Sequence, residues 1–176
     1  MEVDMKISTR GVKKMSSEIK RTEWGRFCKK FNATNQFRHI TLHITGKHGE
    51  QITNALAPFM GVTLRKNGRQ INGFQIFTGW ADPEQVTRPV LTIEEPSRIV
   101  LEKDSDDRDH RLVIHGDNGT TVRIELFGDK TEEMEKSLVQ QVAYTLYERR
   151  GYTDGNDMGD WFEAEQKVRQ AEKQLI

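Results

Sequence analysis

Hydrophobic positions change their period twice along the chain, which separates an opening helix, a β-rich middle and a helical end. Trp24, Phe27, Cys28 and Phe31 recur at spacings of three and four, so they share one helical face. Thr22 is placed to cap this helix and Glu23 to complement its dipole; residues 32–36 end it. From His39 the period falls to two. Ile40, Leu42 and Ile44 alternate with His39, Thr41, His43 and Thr45, the pattern of a half-buried strand. Two strand-like runs within residues 62–78 flank Asn67-Gly68, a pair suited to a tight hairpin turn. Gly73 marks a bulge in the second run. Further runs at residues 90–93 and 99–101 flank Glu94-Glu95-Pro96. Pro96 lacks a backbone donor, so the strand breaks or bends there. Leu112, Val113 and Ile114 pair with Val122, Ile124 and Leu126 across Gly116-Asp117-Asn118-Gly119.

After Gly128-Asp129 the helical period returns. Thr131 caps a helix reaching about Arg150, with Met134, Leu138, Val142 and Leu146 on its apolar stripe. Arg149 and Arg150 suit its negative end, and Gly151 offers a left-handed cap. Asp157 caps a last helix whose Trp161, Ala164, Val168, Ala171 and Leu175 recur at three and four. No long helix separates the strands, so the rhythm is not that of a parallel βαβ fold. The expected architecture is α+β: a short N-terminal helix on a small antiparallel β-sheet or barrel, followed by a C-terminal α-hairpin. The expected division is a flexible arm over 1–20, a β-rich domain with its N-terminal helix over 21–128, and the helical hairpin over 129–176.

The hairpin segment carries a recognisable set of letters: Ala143-Tyr144, Tyr147-Glu148, Arg150-Gly151, Asp154-Gly155, Asp160-Trp161 and Ala164-Glu165. Over about residues 138–170 it resembles a short bacterial domain family of unknown function that forms a C-terminal helical hairpin. Tyr147 replaces that family's usual tryptophan, and Asp160 stands where a histidine is common. Residues 21–128 resemble a second uncharacterised bacterial family through Thr22-Glu23-Trp24, Phe27-Cys28, the strand before Gly46 and Ile93-Glu94-Glu95-Pro96. The resemblances imply a small bacterial protein and supply no catalytic residue.

Composition narrows the class. The chain has 176 residues, 35% of them apolar, with no run near the length of a membrane span. Its opening residues mix Glu2, Asp4 and Lys6 with isolated apolar positions, unlike a signal peptide. One cysteine excludes an internal disulfide. The expected compartment is the cytoplasm, without membrane association. Zero net charge conceals a gradient, from ten Lys/Arg against four Asp/Glu in residues 1–38 to twelve against twenty in 94–176. A basic front can meet anionic partners or its own acidic back.

Candidate chemistry is thin. From Asp154, the positions of Asn156, Gly159 and Glu165 follow a calcium loop, but Met158 falls where a hard cation needs oxygen. His39 and His43 share a strand face about 13 Å apart, too far to chelate one ion. His48, His110 and His115 have no ligand spacing. Cys28 belongs to an apolar stripe and reads as buried filler. Asp104, Asp106, Asp107 and Asp109 read as a solvated loop rather than an acid–base pair. No catalytic residue, metal ligand or cofactor is therefore expected, and enzymatic activity is the third-ranked reading. The leading expectation is a non-enzymatic protein-interaction or regulatory module that binds a protein partner or itself through Tyr147, Tyr152 and Trp161. The alternative is nucleic-acid binding by the basic arm and by Arg65, Lys66 and Arg69, with Phe77 and Trp80 as stacking aromatics. The competing reading for Phe77 is packing beneath a helix.

Overall fold

Alternation in the central segment produces one antiparallel sheet. The computed structural model describes residues 15–79, 88–129 and 132–176, the side chains of 54–56 excepted. The strands are β1 (Met15–Glu18), β2 (His39–Thr45), β3 (Gln51–Asn67), β4 (Gln70–Thr78), β5 (Leu91–Glu94), β6 (Pro96–Lys103), β7 (Asp109–Gly116) and β8 (Thr121–Phe127). The described residues form an eight-stranded sheet in the order β1-β6-β7-β8-β2-β3-β4-β5. Helix α1 (Trp24–Asn35) follows β1, while α2 (Glu132–Arg149) and α3 (Asp157–Leu175) follow β8.

This topology corrects the expected short helix on a small sheet or barrel followed by a hairpin. The sheet is large, and a strand precedes the helix, because β1 pairs antiparallel with β6 from Met15↔Lys103 to Glu18↔Val100. The sequence hides β1: Met-Ser-Ser-Glu has no alternation, and all four residues are exposed at the sheet edge. It also hides the reach of β3. That strand pairs with β2 over its first half, Gln51 to Pro58, and with β4 over its second, Phe59 to Asn67. The hand-over coincides with a register shift between Phe59 and Gly61.

The chain bends from β5 into β6 at Glu95, whose φ is 45°. The Glu95 N–H donates to Asn72 O at 3.1 Å, and the Asp117 N–H donates to Glu95 O at 3.0 Å. Pro96 thus stands where the expected bend occurs. This corner brings both ends of the sheet order onto one core. Ile99, Leu112 and Ile114 from one end meet Phe74, Ile76 and Ile93 from the other, with Trp24, Cys28 and Phe31 of α1 added.

A second cluster lies on the other face of β3 and β4. Phe37, Met60 and Phe77 meet Leu138, Val139 and Val142 of α2 and Ala164, Val168, Ala171 and Leu175 of α3. Fully burying each large aliphatic chain here is worth roughly 1.5–3 kcal/mol. The expected stripes supply most of these residues; Val139 is an addition.

Local signals differ in detail. Thr22 lies in a 3₁₀ turn over Arg21–Glu23, and Glu23 at the start of α1 makes no side-chain cap bond. Asn156, not Asp157, precedes α3. Thr131 lies outside the described residues. The β3–β4 turn is formed by Gly68 and Arg69, since Asn67 still pairs with Gln70. Gly73 sits beside the expected irregularity: Arg65 pairs with Gly73 while Lys66 pairs with Ile71.

Candidate functional site

The helix pair is fastened by buried polar groups. Asn32 of α1 is completely buried. Its Nδ2 donates to Val62 O at 2.9 Å and to Leu175 O at 2.6 Å, and its Oδ1 accepts from the Val62 N–H at 2.8 Å. One side chain therefore joins α1, β3 and the end of α3. A Cβ on Gly61 would lie 3.0 Å from Leu175 Cδ1 and 3.1 Å from Asn32 Cγ, so a side chain there would press on both residues. At the opposite end of the pair, Arg150 forms an ion pair with Asp160, which is only 4% exposed.

Between α2 and α3 the chain turns through three residues of positive φ, of which the first two are Gly151 at φ 75° and Tyr152 at φ 58°. The Tyr152 N–H reaches back to Tyr147 O at 3.2 Å, and the Gly151 N–H reaches Glu148 O at 2.9 Å. Glycine suits the first of these positions. Adopting the same conformation at Tyr152 brings its ring onto α2. The Tyr147 and Tyr152 rings meet edge to face at 5.5 Å, and Tyr144 lies 6.3 Å from Tyr147. The Tyr147 hydroxyl donates to Asp154 Oδ1 at 3.0 Å, and the Tyr152 hydroxyl donates to Glu148 Oε1 at 3.0 Å. These bonds to carboxylates raise both phenol pKa values, because the acceptors favour the protonated form. Tyr144 and Tyr152 are 58% and 57% exposed.

Of the expected partner-binding residues, Tyr147 and Tyr152 share this cluster. Trp161 does not join it. Its half-buried ring packs against the second core cluster, and its Nε1 donates to Glu165 Oε1 at 2.9 Å. Tyr144 was absent from the expected set, although its position three residues before Tyr147 on a helix would have signalled it.

The basic alternative is more dispersed. Arg65 pairs with Glu94, and its Nε donates to Asn72 Oδ1 at 3.2 Å. Arg69 lines an open cleft of about 600 Å³ with Arg21, Asn72, Glu95 and Asp117. Lys66 is exposed near the end of β3. Phe77 is only 8% exposed and packs in the cluster beneath α2 and α3. It stands four residues along β4 from Gly73, the cross-strand partner of Arg65, or about 13 Å along the strand. The structure does not bring Phe77 to the arginines, and Trp80 lies outside the described residues.

A second polar centre lies beneath α1. Arg38 Nε donates to Gly128 O at 2.7 Å, and its Nη1 donates to Asn35 Oδ1 at 2.7 Å and Asp109 O at 2.8 Å. Burial lowers the Arg38 pKa, against the opposing effects of Asp109 and Asp129. The neighbouring cleft of about 470 Å³ has Phe27, Phe31 and Leu101 on its apolar side. The aspartate run closes its own loop: Asp104 accepts from the N–H groups of Asp106 at 2.9 Å and Arg108 at 3.0 Å. The Arg108 backbone bond is the leading cause of a lowered Asp104 pKa. Cys28 is buried in the core, and desolvation pushes its thiol up to about 12.

His43 contacts Thr53 and Glu125, and His115 contacts Thr121. Among the described residues, no group of three or more His, Cys, Asp or Glu side chains is arranged to hold a metal ion. Of the calcium-like letters, Asp154 accepts from Tyr147 and Glu165 from Trp161. Among the described residues, no helix is long and apolar enough to cross a membrane.

The chain is an α+β protein built on an antiparallel sheet, with an aromatic cluster on its C-terminal helices. A family described as a protein of unknown function (DUF2934) matches residues 136–170. The match covers most of α2, the Gly151-Tyr152 turn and most of α3, and none of the sheet. No curated protein matches the chain.

Proposed function

We propose that this is a bacterial, non-enzymatic protein-interaction module whose contact surface is the α2–α3 turn. The carrying observation is the exposure of Tyr144 on α2 and of Tyr152 in the turn that follows it, beside helices whose apolar stripes are already buried in the second cluster. Core formation requires neither ring to face solvent. Aromatic residues of this kind are favoured at protein interfaces because they combine large contact area with a polar tip. Tyr147 braces the pair, and Trp161 holds α3 in place for the contact.

A pull-down with the full chain from the native host, with and without nuclease, tests this reading. The expected result is a discrete protein retained after nuclease and lost with Tyr144→Ala/Tyr152→Ala. Recovery only through nucleic acid, or recovery unaffected by the double substitution, overturns it.

A further inference from the structure

We infer that the tyrosine cluster at the α2–α3 turn receives a cationic side chain, an arginine carried by a basic segment of a protein partner. This deepens the interaction-module reading and rests on it. Tyr144 and Tyr147 are inclined at 47° with centroids 6.3 Å apart. At that separation one cation can lie within about 6 Å of both ring centroids, the reach of a cation–π contact. Tyr152 meets Tyr147 edge to face at 5.5 Å and extends the aromatic surface beside them.

Charge points the same way. Residues 144–160 carry four carboxylates, Glu148, Asp154, Asp157 and Asp160, against Arg149 and Arg150. Arg150 is taken by Asp160 within the fold, while Glu148 and Asp154 accept phenol hydrogens beside the rings. Each carboxylate has several lone-pair sites, so accepting one phenol leaves it able to accept from a guanidinium. Donation from a phenol to a carboxylate also leaves its ring richer in electrons. A planar guanidinium stacks on aromatic faces and is more weakly hydrated than an ammonium, which favours arginine over lysine.

The test titrates the full chain with a capped peptide of alternating Gly and Arg, followed by NMR. Gly-Lys and Gly-Asp peptides serve as comparisons. The expected result is saturable shifts at Tyr144, Tyr147 and Tyr152, strongest for the arginine peptide and missing for the aspartate peptide. Tyr144→Leu and Tyr152→Leu each weaken binding about two- to fivefold, while the corresponding Phe variants stay nearer to wild type, because Phe keeps the ring face. Both positions are more than half exposed, and unchanged spectra elsewhere show that each variant folds. Equal binding by the Leu and Phe variants overturns the inference, since charge or apolar area alone would then suffice. Self-association abolished by Tyr144→Leu also overturns it, making a second copy the occupant. If the peptide fails while a nuclease-resistant partner still requires Tyr144 and Tyr152, the cationic chemistry is wrong and the interaction module stands. Loss of both overturns the two readings together.

Discussion

Asn32→Ala is the sharpest perturbation of the architecture. The substitution removes the acceptor of the Val62 N–H and the donor that reaches Val62 O and Leu175 O, all at a site with no solvent exposure. Leaving a buried backbone group without its partner costs about 1–3 kcal/mol. The shortened side chain also leaves a small void between α1, β3 and α3. A total loss of about 3 kcal/mol is expected, which lowers the melting temperature by roughly 6–12 °C for a chain of this size. Urea unfolding of wild type and variant gives the stability difference, and hydrogen exchange along α3 locates it, with the largest loss of protection near Leu175. Thr34→Ala is the control: its hydroxyl donates only to Lys30 O at an exposed site, so a change within about 0.5 kcal/mol is expected. If Asn32→Ala matches this control and α3 remains protected, the three bonds do not fasten the helix and the docking argument fails.

Other perturbations test separate parts of the molecule. Arg150→Met leaves the nearly buried Asp160 carboxylate without its cation; a loss of about 2 kcal/mol is expected in urea unfolding, below the full buried-pair penalty because Arg150 is partly exposed. Truncation after Gly128 removes the helices covering Met60 and Phe77; we expect a folded β-rich remainder that binds an apolar dye, and a remainder without dye binding would contradict the packing described. Cys28 has a folded pKa raised by burial to about 12. Unfolding therefore releases its proton at lower pH than the folded chain does, so its contribution is intact below about pH 9 and is lost as pH rises towards 12. Cys28→Ala should flatten the alkaline fall in stability, and the wild-type thiol should react with a disulfide reagent at pH 8 only after unfolding.

Most of the sheet was legible because single strands have one buried face. Ile40 and Leu42 are buried as their alternation requires, and Leu112 and Ile114 pair with Ile124 and Val122 in the expected β7–β8 hairpin. Pro96 correctly marked the β5–β6 bend. What escaped was set by distant partners. Met15–Glu18 is a strand only because β6 offers it an edge. Gln51–Asn67 changes partner midway, so no one period describes it. The polar side chains of Asn32, Asn35 and Arg38 sit where α1 ends, a place that reads as solvent until β3, β7 and α3 close over it. At the candidate surface, Tyr147 and Tyr152 were visible as letters, but their meeting depends on Tyr152 taking the left-handed conformation.

The divided pairing of β3 has a mechanical consequence. Among the described residues, strands β4 and β5 are tied to the other six through two covalent corners, the midpoint of β3 and the turn at Glu95. Cutting either corner leaves the two parts joined by the other, so a single backbone break cannot release them. The first of these corners, Phe59–Gly61, lies next to Val62, where Asn32 grips the chain. Separating the two parts at this joint would therefore strain the same bonds that dock the last helix.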